Sequence, residues 1–141
     1  MTIEIRPAVP DDAGAVAALT IELGYDPSGM EGRLGAVLGR SDAAVLVAVV
    51  DGEVAGWIHV HEAHFVQVPS FAAVAGLVVA DRNRGSGVGE RLLEAAEQWA
   101  RAGGHREIRI RSNAIRERAH RFYLRHGYRI EKTSLTFHKA L

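Results

Sequence analysis

The run Leu77-Val78-Val79-Ala80-Asp81-Arg82-Asn83-Arg84-Gly85-Ser86-Gly87-Val88-Gly89-Glu90-Arg91-Leu92-Leu93 constrains the fold more than any other part of the chain. It reads as a buried strand, a polar turn, and a glycine-rich loop that passes directly into a helix. Gly85, Gly87 and Gly89 carry no Cβ, so the backbone there can turn tightly and approach a ligand closely. The helix that follows directs its unpaired N-terminal N–H groups and the positive end of its dipole at the same place. Such a place suits a phosphate or pyrophosphate.

Two common phosphate sites are excluded. A nucleotide-triphosphate loop requires Lys and Ser/Thr after its last glycine, and Glu90 follows Gly89. A dinucleotide fingerprint requires a third glycine three positions after the second, but Glu90 lies three after Gly87, and no βαβ unit opens the chain.

Arg84-Gly85-Ser86-Gly87-Val88-Gly89 resembles the acyl-coenzyme A signature of the GNAT N-acetyltransferase superfamily, Gln/Arg-x-x-Gly-x-Gly/Ala. Ala119-His120-Arg121-Phe122-Tyr123-Leu124-Arg125-His126-Gly127-Tyr128 is similar to its second motif, a helix bearing Tyr followed by Gly and an aromatic residue. The resemblance implies an α/β fold with a mixed, mostly antiparallel twisted sheet of 6–7 strands and about four helices. It also implies acetyl-CoA as co-substrate, no metal, and a homodimer. Residues 1–141 are expected to form a single domain of this type, large enough for one core.

The pattern supplies the elements of such a fold. Ile3 and Ile5 alternate with Glu4 and Arg6 in a first strand, Pro10-Asp11-Asp12 starts a helix carrying Val16, Leu19 and Leu23, and Met30, Leu34, Val37 and Leu38 mark a second helix. Residues 42–50 form an apolar strand, Asp51-Gly52 a hairpin turn, and 54–61 the returning strand. On that strand Ala55, Trp57, His59 and His61 share one face, and Val54, Ile58 and Val60 the other. Val68-Pro69-Ser70 is expected to break the chain before a central strand over 71–79, in which Gly76 marks a bulge or a close approach. A helix from Val88 to about Ala102 follows, then a strand around Ile108 and Ile110. Ser112-Asn113 offers a cap for a last helix over 116–126, Gly127 suits its C′ position, and residues 128–130 and 135–138 are expected to close the sheet.

Charge and composition narrow the partners. Seventeen basic and seventeen acidic residues give no net charge, which offers no bulk attraction to nucleic acid or membrane. The absence of cysteine excludes disulfides, thiolate metal sites and a cysteine nucleophile. Met1 to Arg6 show no signal-peptide pattern, and a cytoplasmic location is the expectation.

Acyl transfer to an amine requires an unprotonated amine, a stabilised oxyanion and a proton for the leaving thiolate. An ammonium of pKa ~10.4 is neutral only on the order of one part in a thousand at pH 7. Tyr123, at the position of the family's tyrosine, is the expected general acid, and the resemblance places the oxyanion at an N–H near Val79. Residues 71–76 lack the glutamate that related sequences place on this strand, so His59, His61, Glu62 and His64 are the substitutes, with His61 the expected base. Leu77, Val78, Val79, Arg84, Gly85, Ser86, Gly87, Val88, Gly89, Asn113 and Tyr123 are the expected acetyl-CoA contacts, with Arg82 a second charge partner. The expected acceptor is a small-molecule primary amine such as an aminoglycoside, polyamine or amino acid, attacked directly without a covalent enzyme intermediate. The alternatives are a protein lysine or N-terminal acetyltransferase, a non-catalytic acyl-CoA-binding module, and a hydrolase holding zinc through His59, His61 and His64.

Overall fold

A computed structural model describes residues 1–112 and 116–141. The chain divides into two units, Met1–Ile110 and Arg111–Leu141. The first contains strands β1 (Ile3–Pro7), β2 (Ala43–Val50), β3 (Glu53–Phe65), β4 (Val68–Val79) and β5 (Ile108–Ile110), with helices α1 (Ala13–Glu22), α2 (Met30–Leu38) and α3 (Val88–Ala102). The second contains α4 (Glu117–Arg125). Short 3₁₀ turns at Pro10–Asp12 and Asp81–Asn83 precede α1 and the glycine loop.

The sheet order is β1-β2-β3-β4-β5; the first four strands pair antiparallel and β5 joins β4 in parallel. The mixed, mostly antiparallel sheet and the four helices match expectation. The strand count does not: five strands stand among the described residues, and 128–141 contains none. Alternation at Leu135 and Phe137 creates a strand-like face without supplying a ladder partner, and both side chains are exposed.

The β2–β3 turn is the expected hairpin, with positive φ at both Asp51 and Gly52. The β3–β4 connection differs from expectation. β3 continues to Phe65 and β4 starts at Val68, so Pro69 lies inside a strand instead of breaking the chain. Pro69 precedes the part of β4 that pairs with β5, where its missing N–H costs no ladder bond on that side.

Two bulges decide which side chains face which way. In β3 the register with β2 shifts between Val49↔Val54 and Ala48↔Gly56, leaving Ala55 as the extra residue. An extra residue reverses the alternation, and Val54 therefore packs with Trp57 against the helix α1 side instead of opposing it. In β4 the register passes from His59↔Gly76 to Val60↔Val74, leaving Ala75 unpaired.

The core lies on both faces of the sheet. On one, Val16 of α1 and Leu34 of α2 pack on Val45 and Val47, and Leu19 packs on Val78 and Ala80. On the other, Val88, Leu92, Leu93, Ala96 and Ala100 form the buried stripe of α3, and Ile58 and Val60 are wholly buried. Each large apolar side chain so enclosed contributes about 1.5–3 kcal/mol. The start of α1 is pinned by Asp12, whose carboxylate accepts two hydrogen bonds from Arg6 at 2.8 and 2.9 Å and one from the Val9 N–H at 2.8 Å.

Candidate active site

The site begins with main chain. The Ala72 N–H donates to the Glu107 carbonyl, so Ala72 and Val74 turn their peptide groups towards β5. The β4–β5 register ends at Val74↔Ile110, and the bulge follows at Ala75. Beyond it the Ala80 N–H donates to the Ala55 carbonyl across the Gly56↔Val79 pair, which fixes the alternation. Val78 and Ala80 therefore direct their peptide groups at β3, while Leu77 and Val79 direct theirs away from it. Among the described residues no strand pairs with that side, so an unpaired edge presents two sets of donors and acceptors. Of the three predicted contacts on this strand, Leu77 and Val79 stand at the edge; Val78 is buried against Leu19.

The edge leads into the glycine loop. Gly85 and Gly87 have φ of +78° and +93°, a left-handed conformation that strains any residue with a Cβ. Gly89 differs: it is already the second residue of α3. Gly87 is the N-cap, no side chain caps the helix, and the first bond into it runs from the Arg91 N–H to the Gly87 carbonyl at 3.1 Å. The N–H groups of Val88, Gly89 and Glu90 precede that bond and point out of the helix end. Ser86 folds inward, its hydroxyl donating to the Asn83 carbonyl. The Asn83 Oδ1 is shielded from solvent with no partner among the described residues. Arg84 pairs with Asp81 at 2.9 Å and Arg82 with Glu53 at 3.3 Å, all four side chains well exposed. Both arginines thus already face carboxylates, which an anion of higher charge can replace.

A glycine the sequence did not single out sets the position of α3. A Cβ on Gly56 would lie 2.8 Å from the Val78 carbonyl oxygen, 3.0 Å from Leu92 Cδ1 and 3.2 Å from Val88 Cγ1. Its lack of a side chain lets the first turns of α3 sit directly on β3 and β4. Gly76 plays the corresponding part on the opposite face, where the tip of the Trp57 ring would lie 2.7 Å from a Cβ.

His59 and His61 share the α1 side of β3, their ring centroids 5.7 Å apart. Burial, reinforced by the like charge of His61, holds His59 below the ordinary imidazole pKa. The His61 Nδ1 lies 3.1 Å from the Glu62 carbonyl oxygen. A carbonyl only accepts, so in the neutral ring Nδ1 carries the proton and Nε2 the lone pair. Glu62 and His64 fall on the other face by alternation, and Glu62 meets His105 at 3.0 Å and His64 at 3.5 Å. The hydrogen bond from His105 holds the Glu62 carboxyl below its usual range. The three imidazoles of the His-x-His-x-x-His pattern therefore do not converge on one point. Among the described residues no cluster of three or more metal-type ligands occurs.

In the second unit, α4 ends in a Schellman motif at Gly127, φ +89°: the Tyr128 N–H bonds to the Tyr123 carbonyl at 3.0 Å and the Gly127 N–H to that of Leu124 at 3.3 Å. The motif brings the Tyr123 and Tyr128 rings to 6.1 Å. Phe122 joins edge-on to Tyr123 at 5.5 Å. Burial pushes the Tyr123 phenol above its ordinary pKa, with the charge of Arg116 acting the other way. Arg116 is the N-cap and no side chain caps α4, so Ser112 does not take the expected capping role; Asn113 lies outside the described residues.

The profile of the Acetyltransferase (GNAT) family matches residues 18–128. The chain is 34% identical to an aminoalkylphosphonate N-acetyltransferase of Salmonella typhimurium, over 98% of this chain and 91% of that one. It is 35% identical to an aminoglycoside N(6')-acetyltransferase type 1 of Stenotrophomonas maltophilia, over 82% and 79%. Among solved structures, AAC(6')-Iy in complex with the bisubstrate analogue CoA-S-monomethyl-acetylneamine shares the fold at TM-score 0.87, with 17% identity and full coverage of both chains. No described helix is long and apolar enough to cross a membrane.

Proposed function

Because the chain belongs to the GNAT acetyltransferase family and is an acyltransferase, we propose that it transfers the acetyl group of acetyl-CoA to the primary amine of a small molecule by direct attack. The observation that carries this reading is the meeting of the unpaired Leu77–Val79 edge with the uncapped start of α3. Acetyl-CoA supplies a thioester carbonyl, two amides in an extended arm, and a pyrophosphate. The residues fit that group. Leu77 and Val79 offer main-chain partners to amides as an added strand would. The amides from Gly87 to Glu90 and the left-handed turns at Gly85 and Gly87 leave room and donors for a pyrophosphate, and Arg84 and Arg82 are its charge partners.

In the proposed mechanism the Val79 N–H stabilises negative charge as it develops on the thioester oxygen. Tyr123 donates its phenolic proton to the departing thiolate; a phenol of pKa near ~10 or above is still protonated at pH 7 and so is present as the donor. The ammonium proton leaves towards the imidazole face of β3, where the sequence singles out His61. The names of both curated relatives, each an acetyltransferase of a small amine, support a small-molecule acceptor over a protein lysine or N-terminus. The reading extends to one domain over 1–141 acting in the cytoplasm as a homodimer; family resemblance supports the dimer, and sedimentation tests it.

The decisive experiment pairs calorimetry of acetyl-CoA binding with thiol release across aminoalkylphosphonates, aminoglycosides, polyamines, amino acids and peptides. Acetyl-CoA binding with turnover of a small amine is expected. Turnover of peptides alone would move the acceptor class to proteins, and binding without turnover of any amine would reduce the chain to a carrier of acyl-CoA. Tyr123→Phe should lower kcat at least tenfold while leaving the acetyl-CoA dissociation constant within twofold.

A further inference from the structure

The acetyltransferase reading leaves open how the ammonium proton escapes from a site whose central strand has no carboxylate. Residues 71–79 include no titratable side chain, and the adjacent strand β3 carries the imidazoles of His59 and His61. On β3 the ladder singles out one position. His59 pairs with Gly76, the residue directly after the bulge and one before the Leu77 edge group. Paired residues on adjacent strands put their side chains on the same face about 5 Å apart. Gly76 has no side chain, and the tip of the Trp57 ring fills the space over it, so His59 stands beside that ring at the register position one before the Leu77 edge group. His61 pairs with Ala73, two positions further along β3 and before the bulge.

From this placement we propose that His59 and His61 form a two-imidazole proton exit, in which His59 accepts the proton of the acceptor ammonium and His61 receives it from His59, directly or through one water, and passes it to solvent. The step balances. One proton leaves the ammonium nitrogen for an imidazole lone pair and reaches bulk water through His61. The amine nitrogen then forms the C–N bond as the C–S bond breaks, and its second proton replaces the one that Tyr123 gives to the thiolate.

Three further observations bear on the pair. The two rings are 5.7 Å apart and tilted by 45°, close enough for one water to join their nitrogens. The bond from His61 Nδ1 to the Glu62 carbonyl leaves the Nε2 lone pair of His61 as the receiving atom. Burial and the like charge of His61 keep His59 neutral at pH 7, the form that accepts a proton. Neighbouring elements do not disturb this. β2 contributes Ala43 and Val45 opposite the pair, β4 contributes Ala73 and Gly76, and the helices turn apolar Leu19 and Leu34 to this face. Among the described residues, His61 is the one charge that bears on His59.

The inference rests on the acetyltransferase reading, and its test separates the two. Imidazole titrations followed by NMR on the full chain, without substrate, should show His59 titrating below the ordinary histidine value and moving up in His61→Gln. With the best small amine, His59→Gln should lower kcat/KM about 100-fold. It should also abolish the acidic limb of the pH profile and leave acetyl-CoA affinity within twofold. His61→Gln should lower kcat/KM by a smaller factor than His59→Gln does and move the acidic limb upward with the His59 titration. An ordinary titration of His59 insensitive to His61→Gln, or an unchanged acidic limb in His59→Gln, would overturn the relay while leaving the acetyltransferase assignment in place. Loss of acetyl-CoA binding in both variants would instead identify the pair as structural.

Discussion

The two halves of β4 have similar composition and opposite uses. From Ala72 to Val74 the strand is laddered on both sides, by β3 and by β5. From Leu77 to Val79 it is laddered by β3, and among the described residues no strand pairs with its other side. One extra residue, Ala75, separates them. The contrast teaches that, on the proposed reading, binding capacity would come from peptide groups released from a ladder, with no side-chain change needed to create it. A closed half supports the sheet; an open half is available to a ligand.

Four substitutions can break or sharpen this contrast. Gly87→Glu places a carboxylate and a Cβ at φ +93°, where the open half meets the helix dipole, and should weaken binding at least 100-fold by calorimetry, about 2.7 kcal/mol. Unchanged affinity would remove the loop from the site. Leu77→Pro deletes one N–H at the open edge and should raise the dissociation constant about tenfold, with roughly 1 kcal/mol or less of lost stability. Val74→Ala in the closed half should do the reverse, costing roughly 2 kcal/mol in denaturant unfolding with affinity intact. If the two behave alike, the halves are not functionally distinct. Gly56→Val forces α3 away from β4 and should lower the melting temperature by the equivalent of about 1–3 kcal/mol, with a several-fold loss of affinity as the helix end shifts.

Asp12→Asn, remote from β4, should leave affinity unchanged. It should cost about 1.5–3 kcal/mol at pH 7, the range for hydrogen bonds to a charged group. The Arg6 hydrogen bonds lower the folded pKa of Asp12, so its stabilisation is complete above the unfolded value near ~3.9 and is lost as pH falls through the folded one. Unfolding curves for the two proteins should therefore converge in acid and diverge between about pH 3 and pH 5.

Much of this was legible in the sequence because it rests on local pattern. The Asp51-Gly52 turn, the glycine loop, the α3 stripe and the C′ glycine at 127 are each specified by a few adjacent residues. What escaped depends on pairing. The bulge at Ala55, which moves Val54 to the Trp57 face, leaves no residue-type signature, since alanine fits either register. The Glu62–His105 contact joins residues 43 apart along the chain. Gly56 gave a visible signal, a glycine inside an apolar strand, of the same kind that marked Gly76. The edge at Leu77 and Val79 could be placed from family resemblance, but its chemistry is main chain, which composition does not encode. The strands expected after Tyr128 failed for the converse reason, a pattern without a partner.

Trp57 and Trp99 are the only tryptophans in the sequence, and they stand in different surroundings. Trp57 lays the tip of its indole on Gly76 beside the open edge, while Trp99 stacks on His105 at 6.4 Å. The protein therefore carries its own optical gauge. Phenylalanine at position 99 would leave a single emitter touching the backbone that the proposed acetyl-CoA arm would engage, and the colour of its fluorescence would then follow occupancy in real time without any attached dye.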